Sequence, residues 1–297
     1  MTGGTTGAGL EAAKVLCSQG ARVVLCSDDI FQADRALHEI HQHCSESLVS
    51  FEHVDFGDLN SVLEFSDRFV RQYKELHVLI NNVDFRHDNG RMLSHQGHEL
   101  MLTYNYLSQF VLTAKLFGLI AQSPDGRIIF QSDLNHTNDQ IDLYDLESEC
   151  HYRSRKAYGQ SKLALLVFAR ELDRRLRAIK LNVKSIPIHA GGYSRAFFTN
   201  LVHMNFNYSK IQAAIPLLFA ATAQEAASGH YYEPSNTYEV WGVPRERDFS
   251  TQTKNLQVAD QLWSLTEEMT GVEFTILDLS NIVSFKTLEL NRNEIFR

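Results

Sequence analysis

Two spacings of apolar residues alternate along this chain. Where apolar positions recur every three to four residues, the pattern predicts amphipathic helices. These cover Leu10 to Gln19, Phe31 to His43, Asn60 to Tyr73, Glu99 to Ala121, Arg155 to Ala178 and Leu256 to Met269. Between them lie short apolar runs bounded by turn residues, the signature of strands buried on both faces. They cover Ala21 to Cys26, Leu48 to Val54, Leu76 to Ile80, Arg127 to Gln131 after the Pro124-Asp125-Gly126 turn, and Leu181 to Pro187. Strand and helix in alternation mean an α/β fold, a doubly wound parallel sheet with helices on both faces. Residues 193 to 228 read as helical cover over that sheet. The pattern breaks down after residue 274, so one domain over 1–274 and a loosely attached tail over 275–297 are expected. No repeat, low-complexity tract or Pro/Gly-rich linker interrupts the chain.

A glycine turn, Thr2-Gly3-Gly4-Thr5-Thr6-Gly7-Ala8-Gly9, precedes the first helix. Glycines there allow positive φ and let a pyrophosphate approach backbone amides at a helix N-terminus. Such a turn needs a strand before it, and in a doubly wound sheet that strand is central. Met1 leaves no room for one. Either the first strand is missing, or residues 1–2 stand in for it and its neighbours are left partly unpaired.

Composition narrows the function. The chain has 297 residues, 44% of them apolar, enough for a substantial core. A net charge of −8 argues against nucleic-acid and anionic-membrane surfaces, which need clustered Lys and Arg. Cys17, Cys26, Cys44 and Cys150 have no paired spacing and read as reduced thiols. The longest apolar run, Ile211 to Ala223, contains Gln212 and Pro216 and is too short to span a bilayer. A cytoplasmic location is expected, with membrane association through a segment upstream of Met1 left open. His38, His41 and His43 fall on different helix faces without a completing carboxylate or thiolate, so no metal site is expected.

Tyr158 and Lys162 carry the candidate chemistry. They are four residues apart at the head of a long helix and share one face. A phenol is a poor acid–base group near its ordinary pKa of about 10. A fixed ammonium beside it favours the phenolate and brings that pKa toward the working range.

With Val54-Asp55, Leu79-Ile80-Asn81-Asn82, Asn105 to Phe110, Arg127-Ile128-Ile129 leading to His136, Tyr158-x-x-Ser161-Lys162 and His189-Ala190-Gly191, these features resemble the short-chain dehydrogenase/reductases. The likeness covers about residues 2 to 274 and is nearest the retinol-dehydrogenase-like and WW-domain-containing oxidoreductase-like branch. The resemblance implies a Rossmann-like fold and a nicotinamide enzyme moving hydride between cofactor and an alcohol or carbonyl. It implies that Gly3, Gly7 and Gly9 cradle the pyrophosphate, with Gly191 beside the nicotinamide. Asp55 would meet the adenine and Asn81 would lie along its ribose. Tyr158 would be the general acid/base, Lys162 would hold the nicotinamide ribose, and Asn105 would hold a water linking Lys162 to solvent. Pairing of two copies through the helices at 99–121 and 155–178 is a further implication.

The chain departs from that pattern where the chemistry is done. The family's serine position is Asp133, and Ser132 lies one residue off, on the opposite face of a strand. A serine donates a hydrogen bond to the substrate oxygen; an ionised aspartate only accepts, and it raises a neighbouring phenol's pKa. A buried, protonated Asp133 would still donate. The usual Asn-Asn-Ala-Gly is Asn81-Asn82-Val83-Asp84, bringing bulk and charge near the cofactor ribose, and Ala190-Gly191 replaces Pro-Gly. Asp28 and Asp29 follow the strand at 21–26, the second of the doubly wound order; carboxylates there repel a 2′-phosphate, and one accepts from a ribose diol, favouring NAD over NADP. Tyr193, Phe197, Phe198, Phe206 and Tyr208 either line an apolar pocket for a retinoid, steroid or lipid, or pack the lid. Two functions remain: an NAD(P)-dependent oxidoreductase of a small apolar alcohol or carbonyl, and a catalytically impaired dinucleotide-binding or scaffold protein.

Overall fold

Strand pairing divides the sheet into two parts that meet at the N-terminus. The computed structural model describes residues 1–133, 140–190, 206–235 and 242–276, with backbone alone over 206–210. In chain order the elements are α1 (Gly7–Ser18), β1 (Val23–Ser27), α2 (Ile30–His43), β2 (Val49–His53), α3 (Leu59–Gln72) and β3 (Val78–Asn81). Then come α4 (Leu100–Leu102), a π-helical turn (Thr103–Leu107), α5 (Ser108–Ile120), β4 (Gly126–Ser132), α6 (Ser154–Ala178) and β5 (Val183–His189). The last are α7 (Phe206–Thr222), β6 (Tyr231–Pro234), β7 (Pro244–Arg247) and α8 (Leu256–Thr270). β1 pairs with β2 in parallel, and β3-β4-β5-β6 form a parallel run closed by antiparallel β7.

Helices cover both faces. Phe65, Phe110, Phe168 and Trp263 place α3, α5, α6 and α8 in one apolar layer. Ala12, Ile186 and Leu217 place α1 and α7 in the other. The polar starts of the helices come from local chemistry. The Asp29 and Asp58 carboxylates accept from Gln32 N and Asn60 N, capping α2 and α3. Gly271, at φ 65°, ends α8 in the left-handed conformation.

Met1 to Gly3 occupy the place of the central strand. Cys26 N donates to Met1 O at 2.9 Å and Gly3 N to Cys26 O at 3.1 Å, while on the other side Thr2 N donates to Ile80 O at 2.9 Å. The Met1 ammonium donates to Val24 O at 2.7 Å, and burial lowers its pKa. Below it, a cavity of about 770 Å³ lies between β1 and β3, lined by Val23, Val24, Val78, Leu79, Phe65 and Phe69 among others. Residues 1–3 thus join the two parts of the sheet at one end, and the slot beneath them is open.

Three features depart from the sequence expectation. The helix expected over Glu99 to Ala121 is interrupted by the π turn at Thr103–Leu107, which shifts the face that each following side chain presents. β6 and β7 extend the sheet beyond β5; four residues each, and bounded by Pro234 and Pro244, they carry too little pattern to be seen in advance. Phe274 and Ile276 are buried, and Phe274 stacks on Trp263 with centroids 5.3 Å apart, so packing continues just past residue 274. Residues 277–297, the aromatics Tyr193, Phe197 and Phe198, His136 and Gly191 lie outside the described residues, as do the side chains of Phe206 and Tyr208. Among the described residues no helix is long and apolar enough to cross a membrane.

Candidate active site

The parallel register of β3, β4 and β5 aligns Asn81 with Phe130 and Ser132 with His189, so their C-terminal ends open at one edge of the sheet. Ligand crevices of open α/β sheets form at such edges. α6 packs on one face of the sheet, and its N-terminal turns reach this edge. Its 3.6-residue period puts Tyr158, Ser161 and Lys162 on the face turned to the strand ends.

Lys162 is almost fully enclosed, its side chain 1% exposed. Its Nζ donates to Val83 O at 2.8 Å and Gln131 O at 3.5 Å, and pairs with Asp84 Oδ1 at 3.1 Å. The ammonium lies 5.9 Å from the centroid of the Tyr158 ring. The two groups therefore converge, as their spacing predicts. The guanidinium of Arg86 covers the same ring at 5.5 Å. Asn105 sits in the π turn, buried; its Nδ2 donates to Phe85 O and Ser161 Oγ, and its Oδ1 accepts from Phe85 N. It thereby ties the loop after β3 to α6.

The phenol's own partners reverse one expectation. Tyr158 Oη lies 2.7 Å from Asp84 Oδ1 and 2.9 Å from Asp133 Oδ2. A hydroxyl has one proton, so it donates to one of these carboxylates at a time and faces the other as an acceptor. Burial, then the charges of Asp84 and Asp133, drive the Tyr158 pKa upward, and the nearby Lys162 ammonium does not overcome them. The expected lowering of that pKa is not what this arrangement produces. The Asp84 side chain is itself 48% exposed. Crowding by protein atoms opposes its ionisation, and Lys162 and Tyr158 more than offset this, leaving its pKa below the ordinary carboxylate value. Ser132 Oγ donates to Lys162 O at 3.1 Å, a helix carbonyl, and so is engaged away from the phenol.

The cofactor candidates form a connected strip. Asn82 N donates to Thr2 Oγ1 and Asn82 Nδ2 to Gly3 O, pinning the glycine turn to the end of β3. Gly3 has φ +59°, and a Cβ there would meet Asn82 O at 2.7 Å; one on Gly9 would meet Gly3 O at 2.5 Å. Gly7, also at positive φ, faces open space. Thr6 makes no side-chain cap to α1, so the first amides of that helix stay available to an anion. Asn81 Nδ2 donates to Thr113 Oγ1, and its Oδ1 is buried without a hydrogen-bond partner. Asp28 and Asp55 both contact the hydroxyl of Tyr104, and Asp55 Oδ1 also accepts from Gly57 N. Asp29 turns away to cap α2. These glycines and the orphaned Asn81 oxygen fit a dinucleotide laid across the strand ends. Among the described residues no cluster of His, Cys, Asp and Glu fit for a metal occurs.

Sequence reasoning placed Asp84 near the cofactor but missed its contact with Tyr158, and it missed Arg86 and Tyr104 altogether. The signals present were the charge at position 84 and the aromatic residues Phe85 and Tyr104, whose places along the chain do not show their partners.

Residues 1–194 match the family model for short chain dehydrogenases. Retinol dehydrogenase 12 of Mus musculus is 31% identical over 290 residues, covering 92% of this chain and 86% of that protein. A crystal structure of an uncharacterised protein from Mycobacterium paratuberculosis superposes with a TM-score of 0.78 at 29% identity, covering 93% of each chain. The NADPH-bound short chain oxidoreductase of Pseudomonas aeruginosa PAO1, which contains an atypical catalytic center, shares the fold at a TM-score of 0.60 and 17% identity, over 77% of this chain and 91% of its own.

Proposed function

The chain belongs to the short-chain dehydrogenase family of NAD(P)-dependent oxidoreductases, and on that premise we propose that it interconverts an apolar alcohol and its carbonyl with an acid–base phenol restrained by two carboxylates. The observation that carries this reading is the convergence of Tyr158, Lys162 and Asn105 at the strand ends beside the open glycine turn. When bound, NAD(P) supplies the acceptor or donor of hydride at the substrate carbon. Gly3, Gly7, Gly9 and the α1 N-terminus would hold its pyrophosphate, with Asn81 along the strip. Asp28 offers only acceptors, which supports a ribose diol over a 2′-phosphate and hence NAD.

Tyr158 moves the proton at the substrate oxygen: it takes that proton on oxidation and returns it on reduction. Lys162 holds positive charge against the phenolate that forms. Asp84 and Asp133 oppose that charge separation, so turnover is slow near neutral pH. Asp133 accepts where a serine would donate, and loss of one such donor costs about a hundred- to a thousandfold in rate. An apolar substrate is supported by the retinol dehydrogenase relative and by the aromatics at 193–208.

Titration with NADH, followed by its fluorescence, tests the cofactor. Turnover of apolar aldehydes by the chain and by Asp133→Ser tests the site; a gain of about a hundredfold in the variant is expected. Equal rates would contradict the role given to Asp133. The second reading, a dinucleotide-binding protein without turnover, is favoured by the position of Tyr158 Oη between two carboxylates. Firm NADH binding with no turnover in either protein would select it.

A further inference from the structure

Tyr104 stands where the strip of cofactor candidates should be open. It projects from the π turn at Thr103–Leu107 toward the ends of β1 and β2. Its Oη lies 2.9 Å from Asp28 Oδ2 and 3.1 Å from Asp55 Oδ1. Its ring stacks on Phe85 with centroids 4.2 Å apart and planes 18° from parallel. The ring edge rests on Gly57, where a Cβ would meet Tyr104 Cε2 at 2.6 Å. Only a residue without a side chain leaves room for the ring at that point.

We propose that Tyr104 sets the affinity of this chain for the adenosine half of its dinucleotide, by occupying the cleft between Asp28 and Asp55 and turning out when adenosine enters. The inference rests on the cofactor reading given above. A flat ring carrying a hydroxyl imitates what adenosine brings, a flat base and a ribose diol. The imitation is incomplete: the phenol has one proton for two carboxylates, whereas adenosine brings a ribose diol to Asp28 and an exocyclic amine to Asp55. The exchange therefore leaves the acidic pair better satisfied than before, which makes the occupant displaceable. Burial and then Asp28 and Asp55 raise the Tyr104 pKa, keeping the hydroxyl protonated as a donor. Phe85 remains as a platform on which a base can stack once the phenol has left. Asp84, next in the chain to Phe85, performs a similar occupation at the Tyr158 end, so both ends of the cleft are held by residues of one loop and the π turn.

The test compares the full chain with Tyr104→Val and Tyr104→Phe by calorimetric titration with ADP-ribose and with nicotinamide mononucleotide. Tyr104→Val should bind ADP-ribose about tenfold or more tightly, the difference expected when one competing charged hydrogen bond is removed. Tyr104→Phe, which keeps the ring and loses the tether, should gain less. Binding of nicotinamide mononucleotide should not change, which separates a local occupant from a general loosening of the fold. Unchanged or weaker ADP-ribose binding in folded Tyr104→Val would overturn the proposal while leaving the cofactor reading intact. If that variant does not fold, Tyr104→Phe decides alone, and no gain overturns it. If neither the wild-type chain nor any variant binds ADP-ribose or NADH at millimolar concentration, the cofactor reading falls and this proposal with it.

Discussion

Replacing Asp84 by Asn removes a charge from the phenol's surroundings while keeping the side chain's size and its acceptor oxygen. The carboxylate lies 2.7 Å from Tyr158 Oη and 3.1 Å from Lys162 Nζ. Two like charges at roughly 3.5 Å repel by about 1 kcal/mol in water and about 5 kcal/mol at an effective dielectric of 20. Asp84 is half open to solvent, so screening holds the value near the lower end, about 1.5–2.5 kcal/mol. That is roughly one to two pKa units on the phenol. The sign follows from the chemistry: the base form exists above the pKa, the carboxylate raises that pKa, and removing its charge lowers it. The basic limb of the pH–rate profile for alcohol oxidation should therefore move about one to two pH units toward neutrality. At a fixed pH below that limb, the rate should rise about ten- to a hundredfold. A spectrophotometric tyrosinate titration of Asp84→Asn, with a Tyr158→Phe control in the same background, checks the shift without relying on turnover. The variant also strips the enclosed Lys162 of its ion pair, so its urea midpoint should fall, by about 1.5–3 kcal/mol of stability, because Asp84 is half exposed and Lys162 keeps Val83 O. A limb and a tyrosinate titration unmoved by the substitution would refute the claim that Asp84 restrains Tyr158.

Three further outcomes test the frame around the site. His98 places both ring nitrogens against acceptors, Glu147 Oε1 at 2.7 Å and Met269 O at 3.0 Å, and the hydrogen bond to Glu147 raises its pKa. Its contribution is complete below the ordinary value near 6.5 and is lost as pH rises through the raised folded value. The urea-midpoint gap between wild type and His98→Ala should therefore be widest in mild acid and narrow in alkali; a gap constant with pH would refute the charged state. Glu171, its side chain 1% exposed, accepts from Arg174 and Arg175; burial opposes its ionisation, but these arginines hold its pKa below the ordinary 4.5. Glu171→Gln should cost about 1–3 kcal/mol at neutral pH, and the gap should close as pH falls through the lowered folded value, measured by denaturant midpoints. Fusing about five Val/Ile residues to Met1 should raise Tm by several degrees, because an extended apolar segment of that length fills the slot between β1 and β3. An unchanged Tm would mean the cavity does not take a strand.

The amphipathic periods fixed element type because they are local: a helix or a buried strand imposes its spacing on nearby residues. The facing of Tyr158 and Lys162 was legible for the same reason, four residues being one helical turn. The need for a strand ahead of the glycine turn was also legible, since such a turn binds a pyrophosphate at the end of a parallel strand. The pairing of Met1 to Gly3 with both β1 and β3 was not, because it depends on where two other strands stop.

What the chain's order could not decide was the phenol's company. Asp84 and Asp133 lie 74 and 25 residues from Tyr158, and they meet it because β3 and β4 align in parallel register and release their loops at one edge. Tyr104 reaches Asp28 and Asp55 from a turn whose extra residue changes the helix phase, a change no 3.6-residue template contains. Sequence determined which groups are candidates for chemistry, because covalent neighbours set local geometry. Tertiary structure decided the acidity of Tyr158, because that depends on the charges within a few ångströms, and those arrive from distant parts of the chain.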